Sequence, residues 1–152
     1  MLTFMQLLES LRSPYPWHVV RQNSLVYEVE FITSGQVRYR VTFDADGPRA
    51  TAAWHVEFAV AGAPWKAQDT APAYRITGTG DAFQIFATVI AILRGFIKLH
   101  TPQEIYFTGF SDEPSRLKLY THLVGMTKSE LPGYQGSTQS SSLGRIFRIS
   151  RV

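Results

Sequence analysis

The sequence predicts an α+β fold: a central mixed, mostly antiparallel sheet flanked by helices. Three observations point there. Three consecutive segments between residues 25 and 60 alternate apolar and polar side chains with the period of half-buried antiparallel strands. A long apolar run over residues 81–99 recurs at helical spacing. Two further strand-like segments then enclose a second helical stretch, so the order reads α-βββ-α-β-α-β. A chain of 152 residues fits a single domain, 1–152.

Each element has its own justification. Leu2, Met5, Leu7, Leu8 and Leu11 share a helical face, and "SPYP" stops that run, which predicts a short helix over 2–12 in an N-terminal segment 1–20. Strands are expected within 21–61, where Tyr27, Val29 and Phe31, then Val37, Tyr39, Val41 and Phe43, then Trp54, Val56, Phe58 and Val60 form three apolar rows. The turn Thr33–Gly35 suits a hairpin with glycine in the left-handed position. It would set Glu30 opposite Arg38 and Glu28 opposite Arg40. Residues 62–73 read as a loop, and 75–126 as a glycine motif, a core helix, the strand "EIYFTGF" and a second helix capped by Ser111 and closed at Gly125. Residues 127–152 hold the polar loop "GYQGSTQSSS", with room for a short strand near Tyr134, and the closing strand "GRIFRISRV".

Composition narrows the function classes. With 45% hydrophobic and 13% aromatic residues the chain is a packed globule. There is no cysteine, which removes disulfides and thiolate metal sites. His18, His100 and His122 lack ligand-like spacing, so no metal site is expected. The N-terminus has no basic stretch followed by an apolar core, so no secretory signal is expected. The apolar run around Ile85–Ile97 is broken by Thr88 and Arg94 and reads as a core helix rather than a membrane span. The net charge of +3 is scattered, which argues against a nucleic-acid partner.

The stretch "YRITGTG", residues 74–80, has the spacing R-x-x-G-x-G and leads into a helix. Two glycines let backbone amides approach phosphate oxygens, the helix start offers unpaired N–H groups, and Arg75 adds charge. Asp81 would place a carboxylate where a phosphate would rest; on the plainer reading it caps the helix and the glycines make the turn. Both readings stand on the loop alone.

Further along, "SRLKLYTHLVGM" resembles the helix end "LY…LGF" of the GNAT acetyltransferase superfamily, through Leu119-Tyr120 and Gly125-Met126. The order of elements over residues 25–152 is also similar to that superfamily, and the chain looks like small proteins carried by bacteriophages. The resemblance implies a GNAT-like domain in which Arg75, Thr77, Gly78, Thr79 and Gly80 hold the pyrophosphate of acetyl-CoA. It implies that Tyr120 protonates the leaving thiolate and that Glu57, with His55 on the same face, acts as general base toward an amine. A cytoplasmic setting, that of the host if the protein is phage-encoded, goes with this.

The chain departs from the superfamily pattern in lacking the usual first strand and substrate-binding helices, shrunk to residues 1–20. Two readings follow: an acyltransferase acting on an amine of a protein or small molecule, intact or degenerate, or a non-catalytic module, a virion component or a factor binding a host protein. Trp17, Trp65 and Tyr134, in loop-like segments, would anchor a protein partner in the second.

Overall fold

The computed structural model describes residues 13–47, 53–61, 80–111 and 114–152. The expected helix 2–12, the loop 62–73 with Trp65, and most of the glycine motif lie outside the described residues. The elements are β1 (Trp17–Gln22), β2 (Val26–Ile32), β3 (Arg38–Ala45), β4 (Ala53–Val60), α1 (Gly80–His100), β5 (Glu104–Phe110), α2 (Pro114–Glu130), β6 (Tyr134–Ser140) and β7 (Gly144–Arg151). The strands form one sheet in the order β1-β2-β3-β4-β5-β7-β6, antiparallel throughout except for the parallel pair β4–β5.

The alternating rows become one continuous apolar face. Tyr27, Val29 and Phe31 on β2, Tyr39, Val41 and Phe43 on β3, and Trp54, Val56 and Phe58 on β4 are all buried. Ile105 and Phe107 on β5 and Phe147 and Ile149 on β7 continue that face. The crossovers β4-α1-β5 and β5-α2-β6 step the same way across the sheet, so right-handed connections put both helices on this face. Phe96 of α1 stacks on Phe43 at 4.0 Å and meets Trp54 edge-on at 5.0 Å. Tyr120 of α2 packs on Phe107 at 4.8 Å and on Phe147 at 5.7 Å. Between the helices the Arg94 Nε donates to the Glu130 carbonyl (2.9 Å), and its guanidinium pairs with the Glu130 carboxylate. The opposite face carries the polar partners of the alternation. No helix among the described residues is long and apolar enough to cross a membrane.

The hairpin register differs from expectation. The turn runs over five residues: the Thr33 N–H donates to the Val37 carbonyl, the Gln36 N–H donates to the Thr33 carbonyl, and Gln36, not Gly35, takes the positive φ of 64°. Glu30 therefore faces Arg40 and Glu28 faces Thr42, while Arg38 faces Ile32. A two-residue shift keeps every side chain on its own face, so the alternation could not expose it. Arg40 is shared by both acids: its Nε donates to Glu30 at 2.7 Å and lies 3.9 Å from Glu28. The Thr42 hydroxyl donates to Glu28 at 2.9 Å.

Three further expectations are corrected. A first strand does exist: β1 pairs with β2 along its whole length, with a bulge between Val19 and Arg21. All six of its residues are exposed, so no apolar alternation announced it. Helix α2 runs through Gly125 to Glu130; Gly125 is exposed with open space around it, and the left-handed Gly133 (φ 88°) ends the following turn. The Ser111 N–H and hydroxyl both donate to the Leu143 carbonyl, tying the end of β5 to the loop before β7. The short strand allowed for near Tyr134 is present and takes up most of the expected polar loop, as residues 134–140. Tyr134, expected in a loop-like segment, is buried with its hydroxyl donating to the Pro102 carbonyl at 2.6 Å.

Two consequences for stability can be measured. Helix α2 lies so close to β6 that a Cβ on Gly136 would stand 2.6 Å from the Val124 carbonyl oxygen and 2.7 Å from its Cγ1. Gly136→Ala is expected to cost about 1–3 kcal/mol, read as a lowered Tm. The imidazole of His100 is enclosed by Tyr27, Trp54 and Phe96, its Nε2 has no hydrogen-bond partner, and burial pushes its pKa below the ordinary value. The unfolded chain then binds the proton more readily than the folded one. This contribution is complete above the ordinary imidazole pKa of about 6.5 and is lost as pH falls from there toward the lowered native value. Denaturation of the protein and of His100→Gln at pH 7.5 and 5.5 should show a steeper loss of stability in the unaltered chain.

Candidate functional site

The one parallel junction of the sheet is short. β4 and β5 pair at Ala53↔Glu104, Trp54↔Ile105 and His55↔Tyr106, yet the strands continue to Val60 and Phe110. Among the described residues no ladder pair joins them past His55 and Tyr106. β4 stays bonded to β3 as far as Val60, and β5 to β7 as far as Phe110. The sheet thus divides into two blocks that part in a V, open toward the carboxyl ends of both strands.

Helix α1 begins at this opening. Its last residue, His100, packs on Trp54 near the start of β4 (5.2 Å), so its first residue, Gly80, lies toward the other end. The first turn of a helix presents unpaired N–H groups and a positive dipole end. A crevice outside the carboxyl ends of parallel strands, beside a helix start, is where open sheets of this kind bind ligands.

The V has an inner and an outer side. Toward the helices stand Phe58, stacked on Tyr39 at 5.0 Å, and Phe107 with Tyr120 against it. Tyr120 is 1% exposed, so it is a buried group rather than a surface residue of an amphipathic helix. Toward the polar face stand His55, Glu57 and Tyr106. Glu57 is exposed and lies opposite Thr42 of β3. The structure therefore sets Glu57 and Tyr120 on opposite faces of the sheet, one on β4 and the other against β5. Arg75, Thr77, Gly78 and Thr79 lie outside the described residues, and Gly80 is the first residue of α1.

At the apex, the last rung of the β4–β5 ladder, the rings of His55 and Tyr106 are 5.2 Å apart and tilted by 43°. Burial first, then the nearby Asp46 carboxylate, pushes the Tyr106 pKa above the ordinary phenol value. Tyr106 and Asp46 escaped the sequence reading because the pairing that brings them to His55 is a crossover contact. The only legible signal was that His55 and Tyr106 both occupy polar positions of alternating strands. Next to this group Arg148 pairs with Glu104 at 3.0 Å, and the Ser150 hydroxyl donates to the same carboxylate at 3.0 Å. Among the described residues no group of His, Asp and Glu is arranged to hold a metal ion.

No protein-family model matches the chain, and no curated protein matches it. Solved structures do. A chimera of the spermidine N-acetyltransferase SpeG of Vibrio cholerae and hSSAT superposes with a TM-score of 0.50 at 9% identity, covering 86% of this chain and 68% of that one. The fold is GNAT-like. The ribosomal-protein-S5-alanine acetyltransferase of Vibrio fischeri is also similar, at 12% identity over 98% of this chain and 83% of its own, with a TM-score of 0.47. At such identities the likeness is one of fold. Within the GNAT-like architecture, the parted β4–β5 pair and the start of α1 are the features of this chain that make a cleft.

Proposed function

We propose that the chain is an acyltransferase that moves the acetyl group of acetyl-CoA to an amine of a small molecule or a protein. One observation carries the reading: the β4–β5 ladder stops after three rungs and opens beside the amino end of α1. A long, narrow pantetheine arm suits a slot between two strand edges that no longer bond to each other, and a pyrophosphate suits a helix start. The GNAT-like fold supports the same assignment. The bound thioester would supply the activated acyl group.

On this reading Arg75 and the amides around Thr77, Gly78, Thr79 and Gly80 hold the pyrophosphate. Glu57, on the outer side of β4, draws a proton from the amine, and Tyr120, on the inner side, returns one to the departing thiolate. Burial of Tyr120 removes competition from bulk water for that transfer. A cytoplasmic setting, that of a host cell for a phage-borne chain, agrees with the need for acetyl-CoA.

A second reading, a non-catalytic module that binds a protein, rests on β1. Trp17, Val19 and Val20 are exposed on this edge strand, at 36%, 46% and 42%. Tyr134 no longer supports it, being buried.

Calorimetric titration of acetyl-CoA and CoA separates the two. The acyltransferase reading expects binding in the micromolar range that Gly80→Trp abolishes with the circular dichroism spectrum unchanged. It expects Tyr120→Phe to keep that affinity while transfer to amines falls by about 100-fold. No heat with either ligand would leave the binding module.

A further inference from the structure

We propose that His55, positioned by Tyr106 and Asp46 at the apex of the β4–β5 cleft, is the catalytic base that takes the proton from the amine acceptor. The inference rests on the acyltransferase reading and replaces Glu57 in that role. Three observations carry it. His55 occupies the last rung before the strands part, where a ligand lying between them must end. Its ring lies 5.2 Å from that of Tyr106, tilted by 43°, and the Asp46 carboxylate at the end of β3 bears on the Tyr106 phenol. Glu57, in contrast, stands two residues beyond the apex, about 7 Å along the strand. It is exposed, and no ion pair or hydrogen bond with another described residue orients it.

The chemistry balances with groups already named. The uncharged amine attacks the thioester carbonyl; the C–N bond forms, the C–S bond breaks, and the nitrogen gives its proton to the free imidazole nitrogen. The thiolate takes a proton from Tyr120; after the products leave, water entering the emptied cleft returns a proton to Tyr120 and takes the one held by His55. The π-face of Tyr106 steadies the imidazolium while it exists. The charged and titratable groups around His55 are Asp44, its ladder neighbour on β3, Asp46 at the end of β3, Glu57 on its own strand, Glu104 and Tyr106 on β5, and Arg148 on β7. Glu104 and Arg148 are engaged with each other. Asp44 and Asp46 are left as onward acceptors toward water.

Tyr106 and Asp46 are positioning residues, and the test treats them so. Thiol release from acetyl-CoA would be followed against pH with butylamine, 1,4-diaminobutane and a peptide bearing a free α-amine, with CoA affinity measured in parallel. His55→Gln should retain CoA affinity, lose about 100-fold in rate at neutral pH, and lose the limb of the profile that falls toward acid. Tyr106→Phe, which keeps the ring, should stay within a few-fold of the unaltered chain. Tyr106→Leu should fall well below it, and Asp46→Asn should displace the acid limb. Transfer by His55→Gln at the original rate with the original profile, or loss confined to Glu57→Gln, overturns the assignment and leaves the acyltransferase reading intact. CoA binding without transfer to any of the amines overturns the assignment while the cleft remains an acyl-CoA site. No CoA binding by the unaltered chain overturns both.

Discussion

Burial of one apolar sheet face beneath two helices is the constraint from which the other features follow. Phe96 reaches Tyr27, Phe43 and Trp54, which stand on three adjacent strands, and thereby holds α1 across β2, β3 and β4. Tyr120 does the same for α2 across β5 and β7. At about 25 cal/mol per Å² of apolar surface removed from water, such large side chains outweigh any polar contact in the fold. Because each helix is committed to its own block of strands, the sheet can be weakly joined between the blocks without losing its core. That permits the cleft.

The cleft in turn opens between two chemical environments that a continuous sheet would keep apart. On the inner side Tyr120 is dry and packed among aromatic rings. On the outer side His55, Glu57 and Tyr106 belong to a polar face in which Arg40 is already shared by Glu28 and Glu30, and Arg148 by Glu104 and Gln139. The arginines near the outer side are thus already paired, and the apex itself presents an imidazole and a phenol.

The sequence made legible what depends on periodicity. The apolar rows of β2, β3 and β4, the helix over 80–100 and the strand 104–110 follow from spacing alone, and the resemblance carried by Leu119-Tyr120 pointed to the right architecture. It did not reveal what depends on neighbours distant in the chain. β1 is an edge strand whose six residues are exposed, so it lacks the alternation that burial imposes. The polar loop leaves room for a short strand near Tyr134, but the length of β6 was not legible, because only its first residue, Tyr134, is buried and the rest are polar residues and glycine. The five-residue turn at Thr33 moved the hairpin by a full side-chain period, which conserves the pattern from which the register was read. Tyr106 met His55 only through the parallel pairing, and no local signal encodes that.

The three-rung junction also has a meaning in kinetic terms. β1 to β4 form a local meander that can close hairpin by hairpin, whereas the contacts of β4 with β5 must close the whole stretch between Val60 and Glu104. Loop closure of that length is slow and brings few backbone bonds in return. The junction therefore depends on α1, whose Phe96 packs on β2, β3 and β4 and so carries the chain across the connection. The two blocks are joined at the seam by the rungs at Ala53, Trp54 and His55, and above it by the contacts of Arg94 with Glu130 and of Phe86 with His122. The root of the cleft is thus the place where the sheet is held by the fewest backbone bonds and the side chains above it carry the join.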